Sequence, residues 1–178
     1  MLLIDEIDYM PPHIAAVLNP VLEKKRVLHL PETGETITAE PGFNVIATAN
    51  TGGKGDTNGV YTGTETLNTA LLDRFSVKIV SDYLPKDKEA TMLRKKFPRV
   101  EASLIEKLVS IAVEVRKSFK QGIIPVTIST RKLIEILDMD QNLGLKMAMD
   151  LAIINWLDDD NRAVVIKIIQ NYGLDLKA

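Results

Sequence analysis

The sequence predicts an α/β protein with a partial parallel sheet, followed by a second part built from helices. Short, continuous apolar runs such as MLLI and NVIATA are typical of parallel strands buried on both faces. After about residue 82 the apolar residues recur with helical spacing almost throughout. We therefore expect a partial α/β core over residues 1–82 and an α-helical domain over residues 83–178.

Three strands are predicted in the first part, at residues 1–4, at residues 44–49 and in FSVKIV at residues 75–80. Between the first two, PHIAAVLNPVLEKK predicts a helix that Pro20 kinks or splits, because proline lacks the backbone donor. RVLHLPETGETITAE predicts a β-hairpin, with Gly34 at the positive-φ position of its turn.

Several helices are predicted in the second part. One has an apolar stripe and ends near Gly122, and the next begins at Ser129, a residue type that caps helix starts. The stripe consists of Leu104, Leu108, Ile111, Val115 and Phe119. Two later helices are predicted in LGLKMAMDLAIINWL and RAVVIKIIQNY, and we expect Trp156 to lie in the core.

Composition places limits on the class of protein. The 178 residues carry a net charge of −2, so the chain lacks the basic field typical of nucleic-acid binding. We interpret the short basic runs at residues 24–26 and 94–96 as solvated faces, and we expect neither nucleic acid nor membrane as a partner. The absence of cysteine excludes disulfides and thiolate metal sites, and cytoplasmic location is the expectation.

The glycine-rich stretch GGKGDTNG superficially resembles a phosphate-binding loop. A P-loop requires G-x-x-x-x-G-K-[ST] between a strand and a helix, so that helix-start N–H groups converge on phosphate. Here Lys54 lies between two glycines, and Asp56 stands where a phosphate would be repelled. The stretch is therefore not a P-loop.

Polar residues that could carry chemistry follow the predicted strands. LLIDEID ends a strand in Asp5 and Glu6, which could serve a magnesium shell and an attacking water, or could be a solvated strand end. The next strand ends in Asn50, whose amide could orient water, and Arg74 follows a helical segment. Arg74 could instead form an ion pair within its own subunit, with a carboxylate such as Asp73 or Asp82.

These residues resemble those of an AAA+ ATPase from the branch of MoxR-type, dynein-related and cobaltochelatase CobS-type proteins. LLIDEID resembles Walker B, VIATANT resembles the sensor 1 strand, and ALLDRF resembles the segment with the arginine finger. STRKL, with Arg131, is similar to the sensor 2 element of the helical lid. The resemblance places the predicted hairpin at the pre-sensor 1 position and the glycine-rich stretch in the connection after sensor 1.

The resemblance implies ATP and Mg²⁺ as cofactors. It implies that Asp5 helps to hold Mg²⁺ through water, that Glu6 polarises the attacking water and that Asn50 positions that water. It also implies that Arg74 stabilises charge on the phosphoryl group bound by a neighbouring subunit. Arg131 would contact nucleotide, in its own subunit or in a neighbour.

One departure from the family affects the expected activity. The family carries a P-loop strand and helix (Walker A) before Walker B, whereas this sequence begins within the Walker B strand. We therefore expect an internal start, a truncation or one half of a split protein, and we expect the isolated chain to be inactive. The expected partners are other copies in a ring or a chain that supplies the P-loop, together with a protein substrate or adaptor.

The predicted function is part of a ring-forming ATPase that remodels a protein partner, with a chelatase motor or a MoxR-like chaperone as candidate tasks. An alternative is a non-catalytic assembly subunit or regulatory remnant, which the missing P-loop favours. A DNA helicase is a third interpretation, weakened by the acidic balance of the chain.

Overall fold

A computed structural model describes residues 1–56, 59 and 61–174. The chain divides into two compact units, Met1–Val80 and Ser81–Ala178. The first unit mixes short strands and helices and the second is helical. The mixed α/β fold with a helical C-terminal region, which the sequence predicts, is confirmed.

A two-stranded parallel sheet organises the first unit. Strand β1 (Leu2–Ile4) pairs with β4 (Val45–Ala47), and the register places Ile4 opposite Ala47. A short 3₁₀ turn (Ile7–Tyr9) follows β1, and helix α3 (Thr69–Asp73) lies after β4 in the chain. The predicted strands at the start of the chain and before Asn50 are therefore present.

The segment between β1 and β4 follows the sequence pattern. The predicted helix is split into α1 (Pro12–Ala15) and α2 (Leu18–Leu22), and Pro20 lies in the first turn of α2. A first-turn N–H has no partner inside its helix, so proline is tolerated there. Strands β2 (Val27–Leu30) and β3 (Glu35–Thr38) form the predicted antiparallel hairpin, with Gly34 at φ 69° in its turn.

The predicted third strand, FSVKIV at residues 75–80, is wrong, because this segment has no strand assignment. Val77, Ile79 and Val80 are 74, 87 and 94 % exposed. A strand is defined by hydrogen bonds to a neighbour, and in the described part of the chain β4 pairs with β1 alone. The apolar pattern is therefore that of a strand, but no described strand pairs with it.

In the described part of the second unit, five helices surround one core. They are α4 (Lys86–Lys96), α5 (Ala102–Lys120), α6 (Thr130–Leu143), α7 (Leu145–Ala152) and α8 (Asp159–Asn171). The predicted stripe of α5 faces this core, and the Ser129 hydroxyl accepts the Lys132 N–H at 3.2 Å, which confirms the predicted cap. Among the described residues, none of the helices combines the length and apolar character that a bilayer crossing requires.

Trp156 does not lie in the core, contrary to the prediction. It ends a 3₁₀ turn (Ile154–Trp156) that interrupts the predicted single helix after α7, and it is 80 % exposed. The neighbours Ile153, Ile154 and Leu157 are buried instead. The indole N–H donates to the Leu151 carbonyl at 3.0 Å, so its polar end is satisfied at the surface.

A buried ion pair links helices of the second unit. The Arg116 guanidinium donates to both carboxylate oxygens of Glu89, at 2.7 and 2.8 Å, and to the Ile128 carbonyl at 2.7 Å. The Thr130 hydroxyl donates to Glu89 at 2.6 Å, and the Tyr83 ring centroid lies 4.0 Å from the Arg116 Cζ. The pair therefore joins α4, α5 and the start of α6, and both charges are hydrogen-bonded.

Removing one partner of this pair should strongly destabilise the second unit. Arg116→Met leaves the Glu89 carboxylate buried without its ion pair, and loss of one buried partner typically costs about 3–5 kcal/mol. Urea unfolding followed by circular dichroism measures the change. Arg94→Met, which removes a pair between Arg94 and Glu106 that is 41 and 58 % exposed, is the control and should cost about 0–1 kcal/mol. Equal losses in the two variants would contradict the importance of the buried pair.

Candidate functional site

The site forms where the two parallel strands end. Asp5 and Glu6 follow β1, and Thr48 and Asn50 follow β4. Strands that run in the same direction end at the same edge of the sheet, which in open α/β folds is the edge that holds ligands. The parallel register therefore brings together residues that are more than forty positions apart in the chain.

Thr48 joins the two acidic residues. Its hydroxyl accepts the backbone N–H of Glu6 at 2.8 Å and donates to the Asp5 carboxylate. Sequence analysis did not single out Thr48. Its position beside Asp5 follows from the parallel register, because Thr48 comes directly after Ala47 and Asp5 directly after Ile4.

Glu6 has an unusual backbone conformation. Its φ and ψ of 52° and 53° lie in the left-handed region, which residues with a Cβ rarely adopt. The N–H bond to Thr48 and the 3₁₀ turn that follows hold this conformation. Backbone strain of this kind concentrates at functional positions.

Asn50 lies beside Glu6, as a shared function requires. The Asn50 carboxamide Nδ2 is 3.4 Å from the Glu6 Oε1, a long hydrogen bond between two exposed side chains. An amide and a carboxylate at this separation could both contact one water molecule. Three of the predicted site residues, Asp5, Glu6 and Asn50, thus lie together at the carboxyl ends of the two parallel strands.

The third carboxylate of LLIDEID, Asp8, was not predicted as part of the site. Its side chain is fully buried, and its Oδ2 accepts three hydrogen bonds from Asn50 and Thr51. The motif contains Asp8, but a strand followed by a turn does not show which of the acidic side chains is buried. Its burial is a property of the folded turn.

Arg74 has partners within its own unit. It follows α3, and its guanidinium donates to the Glu23 carboxylate at 3.0 Å and to the Ala70 carbonyl at 2.6 Å. Sequence analysis left an ion pair within the subunit open, but the observed partner is Glu23 and not Asp73 or Asp82. Asp82 instead pairs with Lys120 at 2.8 Å, and this hydrogen bond lowers the pKa of the Asp82 carboxyl.

The glycine-rich connection after Asn50 packs against α3 and its preceding residues. Lys54 forms an isolated β-bridge with Thr66, and a Cβ added to Gly53 would lie 2.9 Å from a Leu72 methyl. Among the described residues the next helix begins at Thr69, so no helix start directly follows Lys54 as in a P-loop. Residues 57, 58 and 60 of GGKGDTNGV lie outside the described part of the chain.

Arg131 belongs to the second unit, in the first turn of α6. It is exposed, and among the described residues its side chain has no hydrogen bond or ion pair. Its neighbour Lys132, by contrast, pairs with Glu135 at 2.7 Å. The Arg131 guanidinium is therefore available to an anionic ligand.

The donor set at the strand edge fits hydrated Mg²⁺. Mg²⁺ commonly keeps several waters and takes one or two carboxylates together with substrate phosphates. The Asp5 Oδ1 accepts from Thr48, and its Oδ2 has no hydrogen bond in the described ranges. Those ranges contain no group of three or more His, Cys, Asp or Glu placed to hold a metal by themselves, so phosphate oxygens or waters would have to complete the coordination.

Comparison with known proteins agrees with this geometry. Residues 1–75 match the AAA domain of the dynein-related subfamily, and residues 89–170 match the CbbQ/NirQ/NorQ C-terminal domain. The chain is also 33 % identical to the aerobic cobaltochelatase subunit CobS of a Sinorhizobium species, over 99 % of this chain and 55 % of that protein. This chain belongs to the AAA+ ATPases of the CobS and MoxR type.

Two further relatives carry names without an activity. An uncharacterized protein of Staphylococcus epidermidis is 36 % identical over 93 % of this chain and 60 % of its own length. One of Staphylococcus aureus is 34 % identical over the same shares. The AAA+ chain described here thus spans between 55 and 60 % of the length of these relatives.

The strained backbone at Glu6 gives a stability prediction. Glu6→Gly should leave the free energy of unfolding unchanged or raise it by up to about 1 kcal/mol, because glycine adopts positive φ without steric cost. Urea unfolding measures the effect. Glu32→Gly, in an exposed turn residue without positive φ, is the control and should lose about 0.4–1 kcal/mol through chain entropy. A similar loss in Glu6→Gly would show that Glu6 stores no strain.

Proposed function

We propose that this chain provides the hydrolytic residues and the helical lid of a ring-forming ATPase that remodels a protein partner. The observation that carries the proposal is the cluster of Asp5, Glu6 and Asn50 at one strand edge, with the Asn50 amide 3.4 Å from the Glu6 carboxylate. Membership of the CobS and MoxR type of AAA+ ATPase supports ATP as the nucleotide.

Each residue at the edge has a distinct task in this proposal. Asp5 would hold Mg²⁺, which would neutralise phosphate charge when bound with ATP. Glu6 accepts a proton from the attacking water, and Asn50 fixes the position of that water. Thr48 orients both acidic residues, because its hydroxyl bonds to the Glu6 main chain and to the Asp5 side chain at once.

Arg74 would act on the nucleotide of a neighbouring subunit. To do so it must leave Glu23, whose side chain is 55 % exposed while that of Arg74 is 29 % exposed. Ion pairs exposed to this degree are worth about 0–1 kcal/mol, so a phosphate with greater charge could displace Glu23. Arg74 would then stay paired with Glu23 until a ring assembles.

The phosphate cradle would come from a strand that joins the first unit. Strand β4 pairs with β1 alone in the described part of the chain. A surface cavity of about 480 Å³ has β4 on one wall and the exposed apolar residues Val77 and Ile79 on another. An added strand could pair with β4 and cover these residues, because free sheet edges and apolar strands accept such partners.

The second unit would act as the lid. Its Arg131 is exposed and unpaired among the described residues, so it could contact nucleotide phosphate in its own subunit or in a neighbour. The name of the CobS relative suggests a chelatase as one setting for the motor. A chaperone of the MoxR kind would use the same hydrolytic residues.

A second function is a non-catalytic assembly subunit. One observation favours it: Arg74 is engaged by Glu23. Such a subunit would keep the ring contacts and depend on neighbours for hydrolysis. The two functions differ in whether Glu6 is needed for turnover.

Glu6→Gln tests the hydrolytic role. In a module completed by a P-loop segment, the variant should bind MgATP as the parent does, because the side chain keeps its shape. Turnover should fall on the order of 10²–10⁴-fold, because an amide is a poor proton acceptor. Calorimetry measures binding and phosphate release measures turnover. Unchanged turnover would favour the non-catalytic subunit.

Mixing of variants tests whether Arg74 acts between subunits. Arg74→Ala modules should bind nucleotide but lose on the order of 10³–10⁵ in rate. Adding Glu6→Gln modules should restore part of the activity, because their intact Arg74 can reach sites with an intact Glu6. Glu23→Gln, which removes the ion pair of Arg74 but leaves its bond to the Ala70 carbonyl, is the control and should remain active. No recovery at any mixing ratio, with mixed assembly confirmed by mass, would place Arg74 within its own subunit.

A further inference from the structure

Asp8 is a buried charged residue that the proposed mechanism does not use. It lies in the 3₁₀ turn Ile7–Tyr9, directly after the strand end that presents Asp5 and Glu6. Its exposure is 0 %, although carboxylates are rarely buried without an ion pair. No ion pair to Asp8 is present in the described part of the chain, so its charge is compensated by hydrogen bonds.

The hydrogen bonds of Asp8 converge on the residues after β4. One oxygen, Oδ2, accepts the backbone N–H groups of Asn50 and Thr51 at 2.9 and 2.8 Å and the Thr51 hydroxyl at 2.9 Å. Two consecutive N–H groups on one oxygen fix the direction of the peptide chain at Asn50. The Asn50 side chain leaves the main chain at this point and extends toward Glu6.

The Asp8 carboxylate is only half satisfied. The second oxygen, Oδ1, is buried without a partner among the described residues, and an unsatisfied buried acceptor opposes folding. An apolar residue at this position would avoid that cost but would leave the Asn50 and Thr51 N–H groups without their acceptor. The carboxylate therefore holds two adjacent N–H groups in one orientation.

We propose that Asp8 is a positioning residue that sets the Asn50 carboxamide against Glu6. It does so through the main chain of residues 50 and 51 and touches no reacting atom. The Asp8 carbonyl also accepts the Glu65 N–H at 2.6 Å, so the same turn anchors the far end of the glycine-rich connection. The catalytic consequence rests on the proposed function, but the geometric role does not.

The geometric role can be tested in the 178-residue chain without nucleotide. The probe is the pair of Asn50 side-chain amide signals in a ¹⁵N–¹H spectrum, recorded with and without Glu6→Gln. In the parent, Glu6→Gln should shift these signals, because the two side chains touch. In Asp8→Ala, which removes the acceptor of the Asn50 and Thr51 N–H groups, the same change should leave them within the line width.

Two further variants separate positioning from general destabilisation. Ile7→Val removes a methyl group from the neighbouring residue, which is 3 % exposed, and should keep the response of Asn50 to Glu6→Gln. Thr51→Val removes one of the three hydrogen bonds to Asp8 and should reduce the response. Thr51→Val carries the test if Asp8→Ala does not fold.

A full response in folded Asp8→Ala, or in Thr51→Val when Asp8→Ala is unfolded, would overturn the proposal. So would the absence of a response in the parent, because Asn50 would then not lie against Glu6. In the completed module, Asp8→Ala should lower kcat on the order of 10²-fold with little change in the KM for ATP. If Glu6→Gln left turnover unchanged while the spectra behaved as expected, the proposed hydrolysis would fail and the positioning by Asp8 would stand.

Discussion

The parallel pairing of β1 with β4 is the constraint on which the site depends. The Thr48 N–H donates to the Ile4 carbonyl and the Ile7 N–H donates to the Thr48 carbonyl. The two segments of the chain therefore stay in register beyond the ends of the strands. This continuation places the Thr48 hydroxyl between Asp5 and Glu6 and brings Asn50 to Glu6. A shift of one residue would reverse which side chains share a face of the sheet and would separate these groups.

The residues around this edge differ in how firmly they are held. Asp8 is fully buried and fixes the main chain at Asn50, whereas the side chains of Asp5, Glu6 and Asn50 are exposed. A rigid main chain with exposed polar side chains suits a site in which water and phosphate must enter. The positive φ of Glu6 is held by its N–H bond to Thr48 and by the 3₁₀ turn that follows, and these contacts offset the strain at this position.

The two units are stabilised in different ways. The second has a large apolar core and a buried ion pair between Glu89 and Arg116. The first has a small core and leaves apolar residues exposed at 77–80 and on β4, where Ile46 is 49 % exposed. Exposed apolar residues beside a free sheet edge are typical of a surface that another segment covers. The strand proposed to supply the phosphate cradle would therefore also cover this exposed surface.

Sequence by itself determined the local elements and the family. Apolar runs, Pro20, Gly34 and Ser129 predicted strands, a helix break, a turn and a cap, because each depends on backbone preferences of nearby residues. The motifs likewise identified Asp5, Glu6, Asn50 and Arg74 as candidates. Only the tertiary structure decided that FSVKIV lacks a strand partner, that Trp156 is exposed, that Arg74 pairs with Glu23 and that Asp8 is buried against Asn50. Each of these outcomes depends on contacts between residues that are distant in the chain or on which face of a turn meets the core, and local patterns carry no information about either.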